Sequence, residues 1–383
     1  MGRSFSLGRY LGIEVKVHWT FFLLLAFFGV LGLTQTGSPA GALALAGLIV
    51  LLFVFVVLHE YGHALVARGL GYEVEDIVLL PMGGMARLKT FPEKALDELK
   101  IAIAGPPVNV ALAALFYGAA YLFYGISPLA VPHPAALVEE AAGYFLSYLG
   151  LVNVILAVFN LLPAFPMDGG RVLRAFLSTR MDRVRATEIA AAVGQAFAIL
   201  FFVIGLLTFN LILTLVAVFI FLAAAGEAQA MRQRELMRGL IVADVMRRGS
   251  RTETLAPEHP FERVLEALIH GHQEDFPVLD ERGRLVGMLY RNDIFDAARS
   301  REHAPRVGEL MRRRFPTISP QADLFEEAHR LLQENDFRTL PVCDGEELVG
   351  LLSMEDLGQA SLLRRLPVRG YGTLGSGGRR PQP

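Results

Sequence analysis

Two histidines and a glutamate occupy five consecutive positions of an apolar stretch and have the types and spacing of a metal site. The residues are His59, Glu60, Tyr61, Gly62 and His63. On a helix, side chains four residues apart lie on one face, so both imidazoles can reach one ion. A glutamate beside them can act as a general base. Ionisable side chains near membrane depth are costly and functional by default, which favours a metal site over a chance match on a solvated helix.

A catalytic zinc usually has three protein ligands, so a further imidazole or carboxylate is needed at similar depth. Asp168 is the candidate, within N-L-L-P-A-F-P-M-D-G-G-R at residues 160–171. The two prolines and the glycine pair exclude a regular helix, so this backbone must be buried or line a wet cavity. Alternatively, Asp168 is the N-cap of a helix over 169–177. The residues alone leave both interpretations open.

The elements that must position these residues are membrane spans. Six stretches are apolar and long enough to cross a bilayer, which needs about 20 helical residues. They cover roughly 18–35, 41–65, 99–124, 142–163, 187–207 and 209–230. No small-residue cleavage pattern follows the first stretch, so we interpret it as a span and not as a cleavable signal.

Charge placement predicts the orientation of these spans. With the N-terminus inside, the outer connections are 36–41, 125–141 and a short turn near 210, and none contains Lys or Arg. All ten basic residues of 17–230 then lie on the inner side, as the positive-inside rule requires. We therefore predict a multi-pass protein of the plasma membrane with both termini in the cytoplasm. Thirty-two Arg against four Lys favours a prokaryotic source.

Two segments near the spans have strand patterns. I-E-V-K-V-H at 13–18 alternates as a short interfacial strand does. Residues 74–91 predict two short strands around a Pro/Gly turn that contains Gly83 and Gly84. On periodicity alone, this hairpin can be an ordinary interfacial element.

From residue 231 the composition is that of a soluble protein, and the sequence repeats itself. Three pairs of segments recur at offsets of 63 to 65 residues, namely 242–246 with 307–311, 276–278 with 340–342 and 287–293 with 350–356. This is a tandem duplication, each copy running strand, helix, strand, strand, helix. The predicted domains are a membrane domain at 1–230, a linker at 231–240, two repeats at 241–298 and 299–360, and a disordered tail at 361–383.

Composition excludes several classes of protein. With 53% hydrophobic and 19% charged residues, the chain is too apolar for an ordinary soluble protein. A net charge of −2 without a basic-aromatic stripe argues against a nucleic-acid partner. The single cysteine, Cys343, excludes an intrachain disulfide and a thiolate metal site. The fold class is thus a polytopic α-helical membrane protein with about six spans and a small interfacial β element, followed by a soluble α/β tandem.

Three separated motifs together resemble the site-2 protease family of intramembrane zinc metalloproteases. They are H-E-Y-G-H at 59–63, A-G-P-P-V-N at 104–109 and N-x-x-P-x-x-x-x-D-G-G at 160–170. The resemblance covers residues 1–230, and the order of the motifs makes it specific. It implies one zinc ion per chain held by His59, His63 and Asp168. It also implies that Glu60 is the general base and that transmembrane proteins are cut in or beside their spans.

The same resemblance suggests how substrate is held. Asn109 and Asn160 match family asparagines that engage the substrate backbone or the oxyanion. Alternatively, they form hydrogen bonds between spans, worth roughly 0.6 kcal/mol each. The hairpin around Gly83 and Gly84 resembles the family's re-entrant β element, which can pair with an unwound substrate as an added strand.

The C-terminal duplication resembles a pair of cystathionine-β-synthase (CBS) domains, which one branch of the family carries. In such domains a Ser or Thr with an Asp three residues later holds a nucleotide ribose. Ser353 and Asp356 match this pattern, whereas the first copy has Tyr290 before Asp293. The resemblance thus implies one site for ATP or AMP and a homodimer formed through the CBS pair. The alternative is a purely structural dimerisation module.

Two other functions are compatible with parts of this sequence. A transporter or channel with a regulatory CBS pair also breaks helices at midplane sites. The spans lack two-half symmetry, however, and a transporter leaves the spacing from His63 to Asp168 unexplained. A prenyl-protein protease takes its third ligand from a glutamate, and the D-G-G segment argues against it.

Overall fold

A computed structural model describes residues 4–81, 83–92, 94–127, 141–248, 252–271, 273–299, 305–334 and 337–365. The chain divides into two compact units, one of Gly2–Arg232 and one that begins at Gln233. Residues 128–140 of the predicted outer connection and 366–383 of the predicted tail lie outside the described residues. The prediction of a disordered tail from residue 361 is wrong for residues 361–365, because they end the helix Met354–Arg365.

Helices that could cross a membrane dominate the first unit. Within the described residues, five are long and apolar enough, namely Pro39–Gly69, Ala95–Tyr124, Ala142–Asn160, Arg183–Leu207 and Leu211–Met237. They match five of the six predicted spans. The first predicted span is the helix Thr20–Thr36, which at 17 residues is shorter than the others. It is about 26 Å long, against about 30 Å for a bilayer core.

The short first helix has local causes at both ends. A strand runs up to His18, and Gly37 ends the helix in the left-handed conformation with φ of 65°. The next helix begins at once, because the Ser38 side chain caps it by accepting the Ala40 N–H and Pro39 occupies its first position. The two helices therefore form a tight hairpin.

A four-stranded sheet accompanies the helices. Its strands are β1 (Ser4–Tyr10), β2 (Ile13–His18), β3 (Val74–Leu80) and β4 (Gly83–Leu88), in that order. The predicted strand at 13–18 and the predicted hairpin at 74–91 are confirmed. The pairing of β2 with β3 is parallel, and the other two pairings are antiparallel. The β4 strand is consequently an edge of the sheet.

The helices of the N-terminal unit that matter for the site follow in chain order. They are α1 (Thr20–Thr36), α2 (Pro39–Gly69), α3 (Ala95–Ile103), α4 (Pro106–Tyr124), α5 (Ala141–Asn160) and α6 (Asp168–Leu177). Small residues allow close packing between them. A Cβ at Gly62 of α2 would collide with the Ala104 carbonyl between α3 and α4.

The second unit contains both copies, and the predicted order of strand, helix, strand, strand, helix holds for the first. In the second, the described residues before the first long helix form an isolated bridge at Ile318 in place of a strand. Phe276–Leu279 pairs with Leu285–Leu289, and Thr339–Asp344 pairs with Glu347–Ser353, in each case antiparallel. A short strand of the first copy, Arg247–Arg248, adds to the second copy's hairpin. Two buried apolar clusters lie beneath these strands, and each includes residues of both copies, such as Val242 in one and Val307 in the other.

Candidate metal centre

His59 and His63 lie one turn apart on α2, and both are buried. Their Nε2 atoms are 3.0 Å apart. The Oδ2 of Asp168 lies 2.9 Å from the first and 3.0 Å from the second. These three side chains form the group among the described residues that could hold a metal ion. Residues 109 positions apart in the sequence thus meet at one point.

Asp168 reaches this point because the chain breaks between α5 and α6. Met167, and not Asp168, occupies the N-cap position of α6, and no side chain caps the helix. Asp168 is the first helical residue, and its carboxylate faces the imidazoles. The next two glycines allow the approach, since a Cβ at Gly169 or Gly170 would collide with the backbone of 161–165. The two glycines that follow Asp168 are therefore required for steric reasons.

Helix α6 is held in place by a buried ion pair. Arg174 of α6 and Glu98 of α3 are almost fully buried, and the Nε of the first is 2.7 Å from Oε1 of the second. The guanidinium of Arg174 also lies over the ring of Phe165, 4.9 Å from its centroid. Arg183 contacts the other oxygen of Glu98. The carboxylate of Glu98 is thus satisfied on both oxygens.

The far side of each imidazole has an acceptor. Nδ1 of His59 is 2.5 Å from Oδ1 of Asn109, and Nδ1 of His63 is 2.7 Å from the carbonyl oxygen of Ile101. Nδ1–H therefore donates in both rings, which leaves Nε2 of each as the free ligand atom. Asn109 in turn contacts Asn153, a residue that our sequence interpretation missed. A polar residue in an apolar span was the signal that could have revealed it.

A glycine leaves room for an ion beside the three side chains. A Cβ at Gly105 would collide with Nε2 of both His59 and His63. Two imidazole nitrogens and one carboxylate oxygen are a donor set that suits zinc, with a fourth position open for catalysis. The residues present therefore fit a zinc ion.

Glu60 lies against the sheet edge. Its Oε2 accepts a 3.0 Å hydrogen bond from the Ala86 N–H of β4. Gly84 permits this contact, because a Cβ there would meet Cγ of Glu60 at 2.6 Å. Gly83 begins the strand with φ of 138°, a conformation that favours glycine. The predicted hairpin glycines thus lie next to the predicted base.

Asn160 is the one predicted residue of the membrane domain without a described polar contact. It ends α5 and is partly buried. Among the described residues its side chain forms no hydrogen bond. The structure therefore pairs Asn109 with His59, whereas the Asn160 side chain has no hydrogen bond to the three converging side chains.

Ser353 and Asp356 of the second repeat line a cavity of about 380 Å³. Oγ of Ser353 donates to Oδ2 of Asp356 at 2.6 Å, and Nε of Arg247 lies 3.1 Å from Oδ1. The equivalent position in the first repeat is filled by Tyr290, whose ring packs beside Phe337 with centroids 5.1 Å apart. Burial raises the pKa of the Tyr290 hydroxyl.

Comparison with known proteins gives the family. The sequence profile of peptidase family M50 matches residues 47–203, and that of the CBS domain matches 242–300 and 307–362. Zinc metalloprotease MJ0392 of Methanocaldococcus jannaschii is 32% identical over 367 residues, 96% of this chain and 98% of that one. Stage IV sporulation protein FB of Bacillus subtilis is 26% identical, covering 76% and 94%. The solved site-2 protease from M. jannaschii is 38% identical over 59% of this chain and 95% of that one, with a TM-score of 0.46.

The chain belongs to peptidase family M50, the site-2 proteases, and carries a C-terminal pair of CBS domains. It is a membrane zinc metalloendopeptidase, and the predicted family, fold class and activity are confirmed. The transporter alternative is not favoured.

Proposed function

We propose that His59, His63 and Asp168 bind one zinc ion per chain and that this ion is catalytic. The observation that carries the proposal is the convergence of their three ligand atoms within hydrogen-bond distance of one another. Buried side chains of this kind are stable in a membrane protein when they pair or bind a cation.

Glu60 is then the general base, because it adjoins His59 in sequence and is not itself a ligand. Zinc, when bound, activates water and polarises the scissile carbonyl. Glu60 takes a proton from the attacking water as the water oxygen bonds to the peptide carbon, and it returns that proton to the peptide nitrogen as the C–N bond breaks. Only its Oε2 accepts the Ala86 N–H, and a carboxylate has further lone pairs, so the reacting water can bind while that hydrogen bond is kept.

The substrate is a transmembrane protein whose helix has unwound locally. A helix hides its peptide bonds in hydrogen bonds, so cleavage needs an extended segment. The β4 edge, including Gly83 and Gly84, offers unpaired backbone groups for such a segment. Asn160 contacts the backbone of the substrate. Asn109 matches a substrate-binding residue of the family, but its Oδ1 lies 2.5 Å from Nδ1 of His59.

The test of this function uses purified full-length protein and a membrane-embedded substrate. Chelation of zinc should abolish cleavage, and stoichiometric zinc should restore it with about one ion per chain. Cleavage that persists in the metal-free protein would exclude the proposed chemistry.

At the CBS pair, the cavity beside Ser353 and Asp356 supports binding of ATP or AMP that alters proteolysis. Coupling of this kind is typically worth about 1–3 kcal/mol, so activity should change by roughly 5- to 150-fold. Calorimetry of the full chain with each nucleotide, beside cleavage assays, tests it. No binding at millimolar nucleotide would leave the pair as a dimerisation module.

The finer placement of the chain is a separate proposal. We propose that Thr20–Thr36 is a sixth span beside the five longer apolar helices and that both termini lie in the cytoplasm of a prokaryotic cell. The absence of Lys and Arg from the outer connections supports this orientation. Two chains associate through their CBS pairs. Labelling of single cysteines from outside the cell tests the orientation, and light scattering of the detergent-solubilised protein tests the dimer.

A further inference from the structure

Two asparagines behind His59 determine which of its ring nitrogens is free. Asn109 of α4 and Asn153 of α5 are both 0% exposed. A buried amide in an apolar span is stable only when its donors and acceptors are paired. Here the pairing forms a chain of hydrogen bonds from the histidine to the backbone.

This chain has one possible direction. The Leu149 carbonyl can only accept, so the group of Asn153 that lies 3.0 Å from it is Nδ2. Oδ1 of Asn153 then accepts from Nδ2 of Asn109 at 3.0 Å. Asn109 must therefore present Oδ1 to His59, whose Nδ1 donates at 2.5 Å. The proton of a neutral His59 is thus fixed on Nδ1.

We propose that Asn153, acting through Asn109, is a positioning residue that fixes the tautomer and ring orientation of His59 for zinc binding. The inference rests on the proposed role of His59 as a ligand. His63 needs no such relay, because its Nδ1–H donates directly to the Ile101 carbonyl, which can only accept. An amide can face either way, so the one facing His59 requires a second group to orient it.

Without Asn153, the side-chain amide of Asn109 loses the acceptor that fixes its orientation. Asn109 can then rotate by half a turn and present its Nδ2 donor to Nδ1 of His59. The imidazole proton moves to Nε2, which is the atom that faces Asp168 and the ion. Loss of such outer partners typically weakens metal binding about 10- to 100-fold.

The experiment measures zinc affinity of the full-length protein in detergent, by competition with a chromophoric chelator. Asn153→Leu and Asn109→Leu are each expected to bind zinc about 10- to 100-fold more weakly. In the double variant, the second substitution should add nothing, because Asn153 acts only through Asn109. The matched control is Ser147→Ala on the same helix, a buried hydroxyl without a partner among the described residues, and its affinity should be unchanged.

A cobalt-loaded sample separates positioning from packing. The visible spectrum of cobalt-loaded Asn153→Leu should shift towards that of His59→Ala, whereas a packing defect alone would leave the spectrum as in the wild type. If the leucine variant does not fold by circular dichroism, Asn153→Ala removes the amide without leucine's bulk. Unchanged zinc affinity, or additive effects in the double variant, overturns the relay. A wild type that binds no zinc overturns the proposed ligands instead.

Discussion

The backbone N–H of Ala86 donates a hydrogen bond to the carboxylate of Glu60 at 3.0 Å. This contact joins the helix that carries both histidines to the edge strand of the sheet. In an edge strand, outward N–H groups are unpaired unless a side chain or another strand accepts them. Glu60 therefore occupies a position for which an added strand would compete.

The first prediction concerns Glu60→Gln. The amide oxygen of Gln can still accept the Ala86 N–H, so fold and zinc content should be retained. A glutamine cannot take a proton, and loss of a general base typically lowers the rate about 10²- to 10⁴-fold. Cleavage kinetics and metal analysis of the same preparation check it. Near-normal proteolysis would remove Glu60 from the mechanism.

Asp168→Asn tests the third ligand. Asparagine is as good an N-cap as aspartate, and Met167 occupies that position in any case, so the helix should persist. Zinc content should fall, because a neutral amide replaces the anionic ligand facing His59 and His63. Zinc analysis and circular dichroism measure the two effects. Full zinc occupancy in this variant would contradict the ligand assignment.

Gly105→Ala should exclude the ion without replacing any of the three ligand residues. The added Cβ would collide with Nε2 of both histidines. We expect weaker zinc binding and loss of cleavage. Gly118→Ala on the same helix is the control, because a Cβ there meets nothing within 4 Å. Equal zinc affinity in the two variants would show that the space beside Gly105 is not the ion site.

At the CBS cavity, Asp356→Ala should abolish adenine-nucleotide binding by the full chain, since it removes the predicted ribose acceptor. Asp293→Ala is the matched control, because Tyr290 already fills the equivalent position of the first repeat. Calorimetry should detect binding in the control only. Loss of binding in both variants, or in neither, would refute the assignment to Asp356.

The sheet makes the stability of the N-terminal unit depend on pH through Asp76. Burial raises the pKa of this carboxyl, but hydrogen bonds from Arg87 and Lys16 on the neighbouring strands lower it further than burial raises it. A lowered pKa contributes stability that is complete above the carboxyl's unfolded value and is lost as pH falls through the folded one.

Asp76→Asn should therefore lower the midpoint temperature of thermal unfolding at neutral pH. As the pH is lowered, this temperature should fall less in the variant than in the wild type. Because Lys16 and Arg87 are partly exposed and can be hydrated after the substitution, the cost should lie below the about 3–5 kcal/mol of breaking a fully buried pair. Thermal unfolding from pH 7 downwards measures both effects, and Glu73→Gln, at an exposed ion pair, is the control. A midpoint that declines with acid equally in Asp76→Asn and wild type would refute this role.

The secondary-structure elements and most of the site residues could be predicted from the sequence. The tertiary contacts that bring them together could not. Apolar length alone located the spans, and the spacing of His59 and His63 placed both on one helix face. The N-cap alternative for Asp168 could not be excluded, because the close approach of residues 161–165 to the D-G-G backbone depends on how the chain folds back.

The hydrophobic pattern of the sequence could not predict which distant strands and side chains come together. The parallel register of β2 with β3 joins strands about 60 residues apart, with two helices between them. Alternation indicates a strand but not its partner. For the same reason, Asn153 was missed: it lies in an apolar span, and its role depends on Asn109 of another helix.

The two CBS repeats are joined by two ion pairs, each with its arginine in one repeat and its aspartate in the other. Arg247 of the first repeat pairs with Asp356 of the second, and Arg312 of the second pairs with Asp293 of the first. The strand Arg247–Arg248 also crosses to the second repeat's hairpin. A single repeat cut from the chain would therefore keep one arginine and one aspartate that no longer meet their partners. Although the sequence is duplicated, each half supplies ion-pair partners that the other half lacks.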